Sequence, residues 1–238
     1  MKKFLALLLL LCLMVPVLAG CGSDGYDQKY VNGLKGGFRD TLEDNLKTAG
    51  MSEETFKSLI KKHASQMTVG EREQMNLIRN LQIKPDEDTL LQKVITVYDM
   101  GKYISGEYTR IKGFVYACAD VKQYKTINDL YYGLSLGYEG SLFSAMDSTV
   151  GIIRFHVENP GDLFVPKSTY DGGSFTDELP FGGMGFSTGT DLVMGTSEWC
   201  FSQDAKIKDA QLFEMNADGD LRLRAEFDTE KGTFVTVD

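Results

Sequence analysis

Histidine is almost missing from this chain. There are two in 238 residues, alongside four cysteines, five prolines and one tryptophan. Two histidines exclude a multi-histidine metal centre, and His63, in a lysine-rich helical stretch, reads as solvated. Basic residues are also scarce, 25 Lys and Arg against 34 Asp and Glu for a formal net charge of −9. That balance argues against nucleic acid as a partner and against a basic face lying flat on anionic lipid. No apolar run reaches the roughly 18 to 20 residues that a membrane-spanning helix needs. Phosphate-loop and dinucleotide signatures are missing too: the glycine-rich segment Asp171 to Gly195 has no Gly-Lys-Ser/Thr ending and no strand and helix bracketing it.

What is present begins at the first residue. Met1-Lys2-Lys3 leads into an apolar stretch from Phe4 to Val17 and then Leu18-Ala19-Gly20-Cys21. A charged start, a short greasy core and a small-residue cleavage site describe a secretory signal. Leu18 to Cys21 resembles the lipobox of bacterial lipoproteins, which implies cleavage after residue 20, diacylation of Cys21 and a membrane partner held through that diacylglycerol. Two acyl chains contribute about 0.8 kcal/mol per buried methylene, enough for long-lived anchoring. The expected location is the outer face of the cytoplasmic membrane or elsewhere in the cell envelope. Residues 21–25 are small and polar and suit a tether.

Loss of residues 1–20 removes two lysines and no acid, taking the net charge from −9 to −11. It also removes Cys12, and lipidation occupies Cys21, so Cys118 and Cys200 remain. They either form one disulfide in an oxidising exterior or stay as two buried thiols packing as small hydrophobes.

The expected fold class is α+β: an N-terminal bundle of three or four helices over 26–108, then a mainly antiparallel sheet over 109–238, packed together as one domain. Phe38, Leu42 and Leu46 recur at helical spacing, Ser52 can cap a second helix, and Thr68-Val69-Gly70-Glu71 has the form of a capping box. Pro85-Asp86 opens a further helical pattern with Leu90, Leu91, Val94, Ile95 and Tyr98 on one face. Strand character starts with Ile111 to Tyr116 and returns at 151–157 and 162–165, while 125–146 is open between helix and loop. The clearest element is a hairpin, 212–215 and 221–227 around Asn216-Ala217-Asp218-Gly219-Asp220, with Leu221, Leu223, Ala225 and Phe227 on one face. Its turn opens like a calcium loop, but Leu221 stands where glycine belongs and Phe227 where the bidentate glutamate belongs. A strand at 233–237 closes the sheet.

Two sets of residues invite a chemical reading. Arg154, then Gly185-Phe186-Ser187-Thr188-Gly189, then Glu226 ahead of Gly232-Thr233-Phe234-Val235 loosely resemble the arginine, Ser-Thr-Ser and glutamate stations of ADP-ribosyltransferases. The resemblance implies NAD held by Arg154 and Ser187, with Glu226 steering attack on the ribose. Gly189 ends the Ser-Thr-Ser station and Arg224 replaces the first glutamate of Glu-x-Glu. The other placement of Arg154 and Glu226 is on the solvent faces of their strands. His156 beside Cys118 or Cys200 supplies a third option, a thiol-dependent cell-wall hydrolase. The leading expectation is non-enzymatic: a lipid-anchored module that needs no cofactor and binds an extracytoplasmic ligand or protein. Tyr131, Tyr132, Phe186 and Trp199 are its expected contact residues.

Overall fold

The structure is a computed structural model that describes residues 25–34, 39–62, 64–138, 140–165, 170–171, 174–175, 185–187 and 196–237. The leader, Cys21, His63, and the glycine-rich segment apart from 171, 174–175 and 185–187 lie outside the described residues. The chain is α+β. Helices α1 (Gln28–Gly33), α2 (Arg39–Thr48), α3 (Glu53–Leu59) and α4 (Val69–Leu81) precede most of the sheet. Ser52 caps α3 by accepting from Thr55 N, and Thr68 with Glu71 closes the capping box of α4, as their spacing predicts. α2, α3 and α4 pack around Leu42, Leu46, Phe56, Leu59, Met75 and Ile78.

The sheet is curled and antiparallel, with strands β1 (Leu91–Ile95), β2 (Ile111–Ala117), β3 (Thr149–Val157), β4 (Leu163–Phe164), β8 (Thr196–Ala205), β9 (Ile207–Asn216), β10 (Leu221–Asp228) and β11 (Thr233–Thr236). Their order is β11-β10-β9-β3-β1-β2-β8-β4. Between β4 and β8 lie the two-residue strands β5 (Tyr170–Asp171) and β6 (Ser174–Phe175), which pair with each other, and β7 (Phe186–Ser187), which pairs with β8. The inner face of the curl carries Leu91, Ile153, Phe155, Leu212, Trp199 and Phe234, and helix α5 (Val97–Ile104) packs over it against β3 and β11. Val94, Tyr116, Ile152 and Phe213 lie on the outer face. Covering them are α7 (Ile127–Gly133), the segment after it and Tyr26. A one-turn helix α6 (Cys118–Val121) joins β2 to α7.

Two sequence expectations are corrected here. Leu91 to Ile95 is a strand in the middle of the sheet and not part of a helix that starts at Pro85. Both faces of that strand are buried, and a run of apolar residues buried on both sides has no period of two to separate it from a helix. The helix begins instead at Thr96, whose hydroxyl accepts from Asp99 N at 3.1 Å. The second correction concerns the hairpin. Its pairing falls where expected, but a bulge at Arg224 shifts register between Leu223 and Ala225. Leu221 and Leu223 therefore pack on the outer face, whereas Ala225 and Phe227 join the inner core.

Candidate functional site

The bulge has a structural product. By restoring one residue of phase it turns Glu226 to the outer face, opposite Gln211. Register partners share a face of a sheet, and following them from strand to strand gives a polar row. Glu198 on β8 faces Tyr116 on β2, then Gln92 on β1, Arg154 on β3, Gln211 on β9 and Glu226 on β10. Six strands thus contribute polar side chains at one level of an otherwise apolar face.

Arg154 is its centre and is only 2% exposed. Nε donates to Gln92 Oε1 at 2.9 Å, Nη1 to the carbonyl oxygen of Tyr26 at 2.6 Å and Nη2 to Gln28 Oε1 at 2.7 Å. The guanidinium also lies over the Phe213 ring, 5.5 Å from its centroid. Burial disfavours its charge; Asp27 pulls the other way. Gln211 completes the grip: its Oε1 accepts from Tyr26 N at 2.6 Å, and its Nε2 donates to Glu226 Oε1 at 2.7 Å. Both main-chain groups of Tyr26 are thus held by side chains of the row. The Tyr26 hydroxyl lies 3.2 Å from His156 Nδ1, which in turn lies 2.9 Å from Asp209 Oδ1. Burial works against the charge of Asp209, but the hydrogen bond and charge of His156 outweigh it and hold the carboxyl below its usual range. Burial, then Asp209, pushes the Tyr26 phenol well up. What the row does is hold residues 25–28, a turn that leads into α1 through its N-cap Asp27.

Gly25 sits so close to Gln211 that a Cβ there would overlap its amide, and its φ of +39° is in the left-handed region. Gly25→Val is therefore expected to loosen the segment, lowering stability by about 1–2 kcal/mol. Hydrogen exchange at residues 26–33 checks this; protection equal to that of the unaltered chain would refute it.

The structure brings Arg154 and Glu226 together through Gln211 and Tyr26, and neither points freely to solvent. Ser187 is elsewhere, buried, donating to the carbonyl of Gly133 at the end of α7 at 2.7 Å. Thr188 and Gly189 fall outside the described residues. Phe186 and Trp199 are corrected as contact residues, because both are core. Phe186 fills the helical cluster, and Trp199 fills the inner face while its Nε1 donates to the carbonyl of Ile83 at 3.2 Å. Both rings carry large apolar area inside, and the one ring N–H, that of Trp199, finds an acceptor there. Cys118 and Cys200 are separate buried thiols, each pushed up to about 12 by burial, and His156 faces Asp209 and Tyr26.

Tyr131 and Tyr132 open a different surface. α7 starts in the capping box of Thr126 and Asp129, and the chain beyond it folds into hydrogen-bonded turns. The Ser141 hydroxyl donates to the Leu136 carbonyl, Phe143 N donates to Ser141 Oγ at 3.1 Å, and Ser144 N to Asp147 Oδ2 at 2.9 Å. Leu134, Leu136 and Phe143 pin the turns to the outer core, as does Tyr131, which is partly buried. Tyr138, Leu142 and Met146 point out, 64%, 77% and 89% exposed, and Tyr132 on α7 is also exposed. Of the contact residues expected from sequence, Tyr131 and Tyr132 lie on this segment, and Leu142 and Met146 are not among them. The signal for them is the scarcity of charge between 134 and 148, where only Glu139 and Asp147 are charged.

Comparison with protein-family models, with curated proteins and with solved structures returns no match for this chain.

Proposed function

We propose that this chain is an exported lipoprotein, held through diacylglycerol on Cys21, whose folded domain is a non-catalytic binding module. The observation that carries the reading is the exposed apolar tip. Leu142 and Met146 are the two most exposed large hydrophobic residues among those described, and Tyr138 is four residues away. Solvent-facing apolar residues scattered singly need no explanation, whereas a group of them on ordered turns marks a contact surface. The N-terminal helices form a bundle of three or four with its own core. No cofactor is called for; a thermal shift with NAD would move the assignment to the transferase reading.

A footprint tests the module without knowing its ligand. The mature chain is expected to carry its lipid on Cys21 by mass spectrometry. A Leu142→Cys variant in native envelopes should react with a membrane-impermeant maleimide at least about tenfold more slowly than the same variant purified, while a control Glu73→Cys reacts equally in both. The two native thiols are buried and protonated, and so stay silent. Equal rates at residue 142 in both settings would remove the contact surface.

A further inference from the structure

We propose that Tyr138, Leu142 and Met146 form a second membrane contact, seated in the interfacial layer of the bilayer that holds the Cys21 lipid. This rests on the lipid-anchored reading and names the partner of its apolar surface.

The first argument is chain length. Tyr26 is fixed at Arg154 and Gln211 by its own main chain, and Cys21 lies five residues upstream. Five residues span at most about 18 Å, so the lipid cannot sit farther than that from this point of the outer face. The second is shared location. Tyr26 and Phe143 pack on the same outer cluster, and the turns enter β3 at Thr149, five residues from Arg154 along the strand, a rise of about 17 Å. The segment that follows the anchor and the segment that carries the apolar tip therefore pack on one face of the sheet.

The third argument is chemistry. Residues 134–148 contain no lysine or arginine, two acids, Glu139 and Asp147, and four serines, so the tip offers anionic lipid no electrostatic attraction and its contact has to come from apolar side chains. Leucine and methionine suit the acyl boundary and tyrosine the headgroup level. In a mature chain with net charge −11, three such side chains bind vesicles weakly when the chain is free. Attached to the bilayer by its own lipid, the tip meets lipid at a high effective concentration. Its turns are already hydrogen-bonded, so contact orders little further chain.

The test uses the mature lipidated protein in vesicles of phosphatidylcholine and phosphatidylglycerol, with an environment-sensitive fluorophore on Leu142→Cys, on Met146→Cys and on the control Glu73→Cys. Probes at 142 and 146 are expected to emit at shorter wavelength, with quenching by lipid-borne doxyl groups at least about threefold stronger than by aqueous iodide. The probe at 73 should respond to iodide alone. Iodide quenching at 142 and 146 equal to that at 73 overturns the proposal. If those positions are nevertheless protected in native envelopes, a protein partner covers the tip, and the binding module survives without the membrane contact. Exposure in both settings, or a mature chain without lipid on Cys21, overturns both readings.

Discussion

Arg154→Met is expected to lower stability by about 3 kcal/mol and to free the N-terminal segment while leaving the sheet folded. Methionine keeps the packing of the stem on Phe213 but removes three donors at once, stranding Gln92 Oε1, Gln28 Oε1 and the Tyr26 carbonyl. A buried acceptor left unpaired costs about 1–3 kcal/mol. Partial offset comes from no longer burying a charge among neutral acceptors, which is why the sum stays near 3. For a domain of this size that loss lowers the melting midpoint by about 6–12 °C. Hydrogen exchange should show residues 26–33 losing protection with β3 and β9 unchanged. A midpoint within 2 °C of the unaltered chain would mean the segment is not held by the row. The same variant lengthens the effective tether, so the vesicle probe at 142 should shift back toward water if the clasp sets the domain against the bilayer.

The role of Arg154 illustrates what the sequence could and could not reveal. Arginine in a strand of alternating character drew attention as a station for NAD or as a solvated residue. Its actual surroundings come from three segments, at 26–28, 92 and 213, and no local pattern encodes that convergence. Glu226 belongs to the row because of one extra residue at Arg224, and a bulge leaves no mark in an alternating Leu-x-Leu-x-Ala-x-Phe run. Local chemistry, by contrast, was legible wherever hydrogen bonds close within a few residues. The caps at Ser52 and Thr68 and the turn at 216–220 stand where the residue types require. The caps at Thr96 and Thr126 carry the same Thr-x-x-Asp signal, obscured by apolar and aromatic neighbours. Burial of Phe186 and Trp199 was illegible because the glycine-rich segment before them has a loop's composition, while the residues themselves pack into two different cores.

Glu198 at the far end of the row yields the second large effect. It is half-buried on β8 opposite Tyr116, whose hydroxyl also reaches the Leu134 carbonyl at 3.4 Å. Burial raises it from 4.5 to about 7, and the hydrogen bond from Tyr116 only partly opposes that. The native state therefore holds a proton here that the unfolded chain gives up at a lower pH. Stability from this group is complete below about pH 4.5 and is lost as pH rises through 7. Converted at 1.36 kcal/mol per unit and reduced for solvent at the site, the loss is about 2–3 kcal/mol. Glu198→Gln keeps the shape of the protonated acid and cannot ionise. It is expected to leave the midpoint at pH 4.5 nearly unchanged, to flatten the decline up to pH 7 and to raise stability at pH 8 by that amount. Lys93 makes the profile curve back. Burial lowers it to about 8, and its Nζ donates to the Phe114 carbonyl at 3.1 Å. A base depressed in this way regains stability as pH climbs from 8 toward its unfolded value, placing a minimum near pH 7–8 that Glu198→Gln should fill in. Denaturant unfolding of both proteins from pH 4.5 to 9 measures it. Parallel curves would show that Glu198 is as ionised in the native chain as in the unfolded one, and that the acidic end of the row is open to water.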